Sequence, residues 1–155
     1  MKLLIRKYQD SDKDEVFKLH VRALKNENAY MYTDKWEKDF EDIEGIYLNN
    51  KGAFLIGTLD NKIIAMGGLR KLTKDIVELR RMRVDPFYQR KGYGKMILDS
   101  LEKRAKKLEY KIIQLNTSLK QVSAQKFYKK NGYIEIRREK EGWIVDNIIY
   151  QKEIK

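Results

Sequence analysis

Between Ala53 and Leu108 the apolar residues change period, and that change limits the architectures open to the chain. Residues 53–59, 62–72 and 75–84 read as three strands in succession. The pair Asp60-Asn61 favours a turn and joins the first two as a hairpin. The third strand stops at Asp85-Pro86, and Pro86 is the only proline present. Over residues 92–109 the repeat becomes helical, with Ile97, Leu98, Leu101, Ala105 and Leu108 sharing one face. Consecutive strands followed by an amphipathic helix must form a sheet with that helix laid across it.

The remaining elements extend this pattern. Residues 3–8 predict a strand, and residues 12–24 a helix with Val16, Phe17, His20, Val21 and Leu24 inward. Asp12 followed by Glu15 predicts a capping arrangement at its start. Residues 26–33 read as a loop, and residues 34–48 as a second helix with Trp36, Phe40, Ile43 and Tyr47 on its inner stripe. Residues 111–116 predict a strand, 123–131 a short helix closed by Gly132, and 133–138 with 143–151 a final strand pair around Glu141-Gly142. The order is β-α-α-β-β-β-α-β-α-β-β, an α/β chain with a mixed sheet of about seven strands and about four helices. With no repeat, linker or low-complexity tract in its 155 residues, it is expected to form a single domain over residues 1–155.

The absence of cysteine and the single histidine exclude a thiol nucleophile and cysteine-ligated metal sites, so no metal is expected. The short run Leu3-Leu4-Ile5 is too brief for a signal-peptide core, and no stretch is long enough to span a bilayer. A soluble, cytoplasmic protein without a membrane partner is expected. The formal charge of +11 is spread over every segment and mixed with acids. That dispersion argues against a nucleic-acid tract and suits either a solvated surface or attraction of an anionic cofactor.

The chemistry concentrates after the third strand, in Val84-Asp85-Pro86-Phe87-Tyr88-Gln89-Arg90-Lys91-Gly92-Tyr93-Gly94. Here Gln-x-x-Gly-x-Gly lies where a strand passes into a helix. Gly92 and Gly94 let backbone come close to a bulky anion, and the helix start offers unpaired N–H groups and a positive dipole end. Arg90, Lys91 and Lys95 add charge at the same place. By itself the pattern fits a pyrophosphate site and a plain helix-starting turn equally well. It is neither a Walker loop nor a Gly-x-Gly-x-x-Gly fingerprint.

The wider segment, Val77-Glu78-Leu79-Arg80-Arg81-Met82-Arg83-Val84-Asp85-Pro86 followed by Gln-x-x-Gly-x-Gly and an amphipathic helix, resembles motif A of the GNAT superfamily of N-acetyltransferases. Ala124-x-x-Phe127-Tyr128-x-x-x-Gly132-Tyr133 resembles that family's motif B, and the element order is similar from Leu3 to Tyr150. The resemblance implies a GNAT-type fold binding acetyl-CoA in a V-shaped opening between the strands ending at Val84 and Asn116. It implies backbone contacts to the pyrophosphate from Gln89, Arg90, Lys91, Gly92, Tyr93, Gly94 and Lys95. The pantetheine arm would pair with Met82, Arg83 and Val84, a backbone N–H near Val84 would serve as oxyanion donor, and a bulge there would splay the strands.

The resemblance also assigns catalytic roles. Tyr128 is the expected general acid, and Glu78 the candidate base, with a water chain as the alternative. Glu78 is otherwise a partner for Arg80 or Lys71. Asn116 either bonds the pantetheine, orients a water or caps its strand. His20 reads as a core histidine. Tyr30, Tyr32 and Trp36 are candidates for the acceptor wall, and Asp34, Glu37, Asp39, Glu41 and Asp42 for an acidic acceptor cleft. The implied activity is acetyl transfer to a primary amine, small-molecule or peptide, by direct attack in a ternary complex. A catalytically silent CoA-binding or sensing module of the same fold is the alternative. Homodimers are frequent in the family, which leaves that state open.

Overall fold

The computed structural model describes residues 2–26, 37–141 and 145–155. Seven strands form one sheet in the order β1-β2-β3-β4-β5-β7-β6. They are β1 (Leu4–Lys7), β2 (Ala53–Leu59), β3 (Lys62–Lys71), β4 (Ile76–Val84), β5 (Ile112–Ser118), β6 (Ile134–Glu141) and β7 (Val145–Glu153). Every pairing is antiparallel except β4 with β5. A parallel pair requires a crossover, and α2 (Tyr93–Lys107) supplies it. The other α-helices among the described residues are α1 (Lys13–Asn26) and α3 (Val122–Lys130).

Strand alternation builds two cores. Leu55, Ile64, Leu69, Val77 and Leu79 pack with Ile97, Leu98, Leu101 and Ala105 of α2 on one face. Phe54, Ile56 and Met66 pack with Val16 and Leu19 of α1, and with Phe40, Ile43 and Tyr47, on the other. Every residue of β2 is buried, as a central strand covered on both faces requires. The hairpin at Asp60-Asn61 forms as expected, both residues taking positive φ, 48° and 65°.

Three local expectations need correction. The helix expected over residues 34–48 is broken in its described part into a 3₁₀ turn, Lys38–Glu41, and a wide π turn, Glu44–Leu48. Phe40, Ile43 and Tyr47 still face inward; Trp36 lies outside the described residues, as do the loop aromatics Tyr30 and Tyr32. Asp12 serves the 3₁₀ turn Asp10–Asp12 ahead of α1, accepting from the Gln9 N–H at 2.9 Å while Arg6 grips it at 2.8 and 2.9 Å. Asn116 does not end its strand, because β7 continues to partner β5 as far as Ser118 opposite Asn147. Among the described residues no helix is long and apolar enough to cross a membrane.

Candidate active site

The site originates in a bulge on β4. Gly68 faces Arg80 and Met66 faces Arg83, so two residues, Arg81 and Met82, oppose one on β3. Arg81 takes a positive φ of 56°. In a regular strand Arg80 and Arg81 would point to opposite faces; the bulge turns both toward α1. There Arg81 clamps Asp39 through Nη2 at 2.6 Å and Nε at 3.0 Å, and the Arg80 Nη1 approaches the same carboxylate at 3.7 Å. The bulge therefore lies at Arg81-Met82, upstream of the Val84 position expected from sequence.

Beyond Glu78, the apex of the split, no strand among the described residues pairs with β4 on the side away from β3. β4 and β5 pair only from Ile76 opposite Ile112 to Glu78 opposite Gln114, whereas β5 stays with β7. The wedge between them opens into a cavity of about 850 Å³ whose walls include Val84, Asn116 and Tyr128. The Asp85 N–H donates to Ile64 O at 2.8 Å, which makes Ala65–Val84 a non-hydrogen-bonded pair. The N–H of Val84 consequently faces the wedge.

The glycine loop closes one end of this cavity. Asp85 shapes it, accepting from the Phe87 N–H at 3.0 Å and from Arg22 Nη2 at 3.0 Å, ahead of a 3₁₀ turn over Pro86–Tyr88. Gln89 folds its side-chain amide back onto Val84 O at 3.2 Å, bracing the loop against the strand. Gly92 caps α2 with φ 87°, a conformation costly for residues with a Cβ, yet a Cβ there would meet nothing within 4 Å. At Gly94 a Cβ would meet Val84 at 3.5 Å, an ordinary contact. The protein's own packing does not exclude side chains at either point, so the bare backbone is left open toward the cavity. The α2 ladder begins with Met96 N–H donating to Gly92 O at 3.2 Å, leaving the earlier N–H groups of that turn for another acceptor.

Tyr128 is 6% exposed on α3, between Phe127 and Tyr133 at ring distances of 5.3 and 5.6 Å. Glu78 sits at the apex, where β5 departs. Its Oε1 is 2.7 Å from Arg70 Nη2 and 3.4 Å from Arg80 Nε, so Arg70 stands where Lys71 was one expected partner. The structure thus brings Glu78, Met82 to Val84, Gln89, Arg90, Gly92 to Lys95, Asn116 and Tyr128 around one cavity; Lys91, on the same loop, lies near the Tyr88 ring at 5.9 Å.

A polar layer backs the α1 side. His20, 1% exposed, lies 3.1 Å from Glu37 Oε1 and packs at a tilt against the Phe40 ring, 4.7 Å away. Burial, then the charges of Arg83 and Arg81, push its pKa down to about 2, so the ring is neutral. Burial works to raise the Asp39 carboxyl, but the Arg81 hydrogen bonds and the charges of Arg81 and Arg80 outweigh it and hold it at about 2. Arg81 also lies 4.8 Å over the Phe40 ring. Glu37 and Asp39 are therefore absorbed into buried pairs, Glu41 and Asp42 are exposed, and Asp34 lies outside the described residues. Among the described lining residues Glu78 is the only acid, facing Arg80, Arg81, Arg83, Arg90, Lys95 and Lys130. Of the acids expected at an acceptor cleft, the four that are described, Glu37, Asp39, Glu41 and Asp42, do not line this cavity. The bulge had a signal in the sequence, the doubled arginine within a strand, which breaks alternation.

Comparison with known proteins agrees with this geometry. The model of the acetyltransferase (GNAT) family matches residues 5–133. A GNAT-family acetyltransferase structure from Staphylococcus aureus superposes with a TM-score of 0.90 at 31% identity, covering 99% of this chain and 100% of that one. The PaiA N-acetyltransferase of Thermoplasma acidophilum, solved in complex with coenzyme A, shares the fold at TM-score 0.78 and 22% identity, covering 99% of each chain. N-acetylaspartate synthetase of Xenopus tropicalis is 33% identical over 97 residues, a match spanning 61% of this chain but only 36% of that protein. With a family match over most of its length, a seven-stranded sheet split between β4 and β5, and a glycine loop at the mouth of the split, the chain belongs to the GNAT acetyltransferase family.

Proposed function

We infer that the protein is an acetyl-CoA-dependent N-acetyltransferase that acts on a primary amine by direct attack in a ternary complex. The observation that carries this is the unpaired β4 edge, with Val84 N–H turned into the wedge beside an open glycine loop at a helix start. These residues fit an acyl-CoA. Backbone N–H groups from Gln89 to Lys95 would hold the pyrophosphate, helped by the charges of Arg90, Lys91 and Lys95. The Met82 to Val84 edge would take the pantetheine arm as an added strand, with Asn116 on the facing wall.

The bound thioester supplies an activated acyl carbon. In the transfer a nitrogen–carbon bond forms and the carbon–sulfur bond breaks; the amine loses a proton and the departing sulfur gains one. Val84 N–H stabilises charge developing on the carbonyl oxygen. The Tyr128 hydroxyl delivers the proton to sulfur. Glu78, or a water ordered at the apex, accepts the proton of the amine. The relatives' acetyltransferase names support this reading, and that of the N-acetylaspartate synthetases adds an amino acid to the acceptors worth assaying.

A cofactor-binding module without turnover is the second reading, favoured by the depth at which Tyr128 sits. Release of the CoA thiol from acetyl-CoA, followed in the presence of a panel of primary amines, separates the two. The enzyme reading requires amine-dependent thiol release; binding without release under any amine supports the silent module.

A further inference from the structure

The apex end of the cavity is lined by cations of its own, apart from those of the glycine loop. On the wall that runs from the apex toward Val84, the lining cations are Arg80, Arg81 and Arg83. The glycine loop has its own cations, Arg90, Lys91 and Lys95, at the end where phosphates would lie. The pantetheine arm and the thioester are uncharged.

Among the described residues, the acids that meet these arginines stand mostly behind the cavity wall. Asp39 and Glu37 are buried outside the cavity lining, and Glu78 alone reaches it among the described residues. Arg81 and Arg80 meet the Asp39 carboxylate, and Arg70 and Arg80 meet that of Glu78. Acids behind and guanidinium groups in front form a braced arrangement that fixes the forks toward the cavity.

Arg80 is the group best placed to receive an anion. It is 23% exposed, and it is the more distant partner of both its carboxylates. Asp39 is held at 2.6 Å by Arg81 against 3.7 Å by Arg80, and Glu78 at 2.7 Å by Arg70 against 3.4 Å by Arg80. A further carboxylate can draw Arg80 away without leaving either acid unpaired.

We propose that the acceptor is an amine that also carries a carboxylate, an amino acid or amino diacid, and that Arg80 receives that carboxylate. The proposal rests on the acyl-transfer reading above. It gives a role to Arg80, one of three arginines within residues 80–83 of β4.

The test uses the whole protein with acetyl-CoA and matched acceptors: glycine with glycinamide, L-alanine with L-alaninamide, L-aspartate with its α-amide. A charge-assisted fork predicts that the free acid is preferred at least ~10-fold in kcat/KM in one pair or more, although the amide's amine is the less basic and so the more readily neutral. Arg80→Gln should bring that ratio close to one, and Arg80→Lys should leave it in between. Thermal unfolding reports whether each variant is folded; Arg70 and Arg81 still neutralise the two acids in both. Equal or better turnover of every amide, an unchanged ratio in Arg80→Gln, or acetyl-CoA binding with no turnover of any free acid overturns the proposal and leaves the fold's cofactor site standing. Failure to bind acetyl-CoA at all removes the acyl-transfer reading instead.

Discussion

Two buried side chains contribute to how the protein responds to acid. His20 is neutral in the folded state, with its pKa pushed down to about 2 by burial and then by Arg83 and Arg81, against roughly 6.5 when unfolded. A depressed pKa means that the unfolded chain binds the proton first, so stability is complete above pH 6.5 and falls as pH drops below it. The slope for one proton is about 1.4 kcal/mol per pH unit. Chemical denaturation between pH 6.5 and 5 should show that slope, and His20→Gln should flatten it. Asp39 acts lower, its folded value of about 2 lying under an unfolded value near ~3.9. Its contribution is present above pH 4 and lost as pH falls toward 2. At the reacting end, Tyr128→Phe should lower kcat by roughly 100-fold or more, the usual weight of a general acid, with acetyl-CoA affinity nearly unchanged. Equal kcat in the variant and the parent would take Tyr128 out of the proton path.

At the scale of elements, the β4 bulge and the α2 start do the positioning. The bulge aligns Arg80 and Arg81 on one face and buries Arg81 between Asp39 and the Phe40 ring. Arg81→Ala removes the close partner of a buried carboxylate and should destabilise the fold by about 3 kcal/mol, read as a shift in denaturant midpoint. A loss below about 1 kcal/mol would show that Arg80 alone suffices. The strands from Ala53 to Val84, the long helix and the glycine loop were readable from sequence because period and turn chemistry are local. The Asp39–Arg81 clamp was not, since it joins residues 42 positions apart and depends on a left-handed residue at 81. The same holds for Asp12, whose partner Arg6 comes from the strand before its helix. The break at residues 38–48 was hidden because an inward stripe at helical spacing is served equally by a 3₁₀ turn followed by a π turn.

Over the whole molecule, one parallel pairing among antiparallel ones decides where a ligand can enter. Strands β4 and β5 separate after Glu78–Gln114, and no helix or strand among the described residues fills the wedge. The net charge of +11 was read from sequence as a dispersed surface or an anion attractant; the cavity lining shows a local concentration of that excess. Glu37 and Asp39, read from sequence as candidates for an acidic acceptor cleft, are buried by the fold, and Asp34 lies outside the described residues. The account as a whole depends on an acyl-CoA diphosphate resting on the bare backbone around Gly92 and Gly94. Calorimetric titration of acetyl-CoA into the protein and into Gly92→Val tests it most directly. The account predicts saturable one-to-one binding to the parent and a loss of at least ~100-fold in the variant, whose φ of 87° at that position a β-branched residue does not tolerate. Absence of binding to the folded parent, or equal affinity in a folded Gly92→Val, would contradict it.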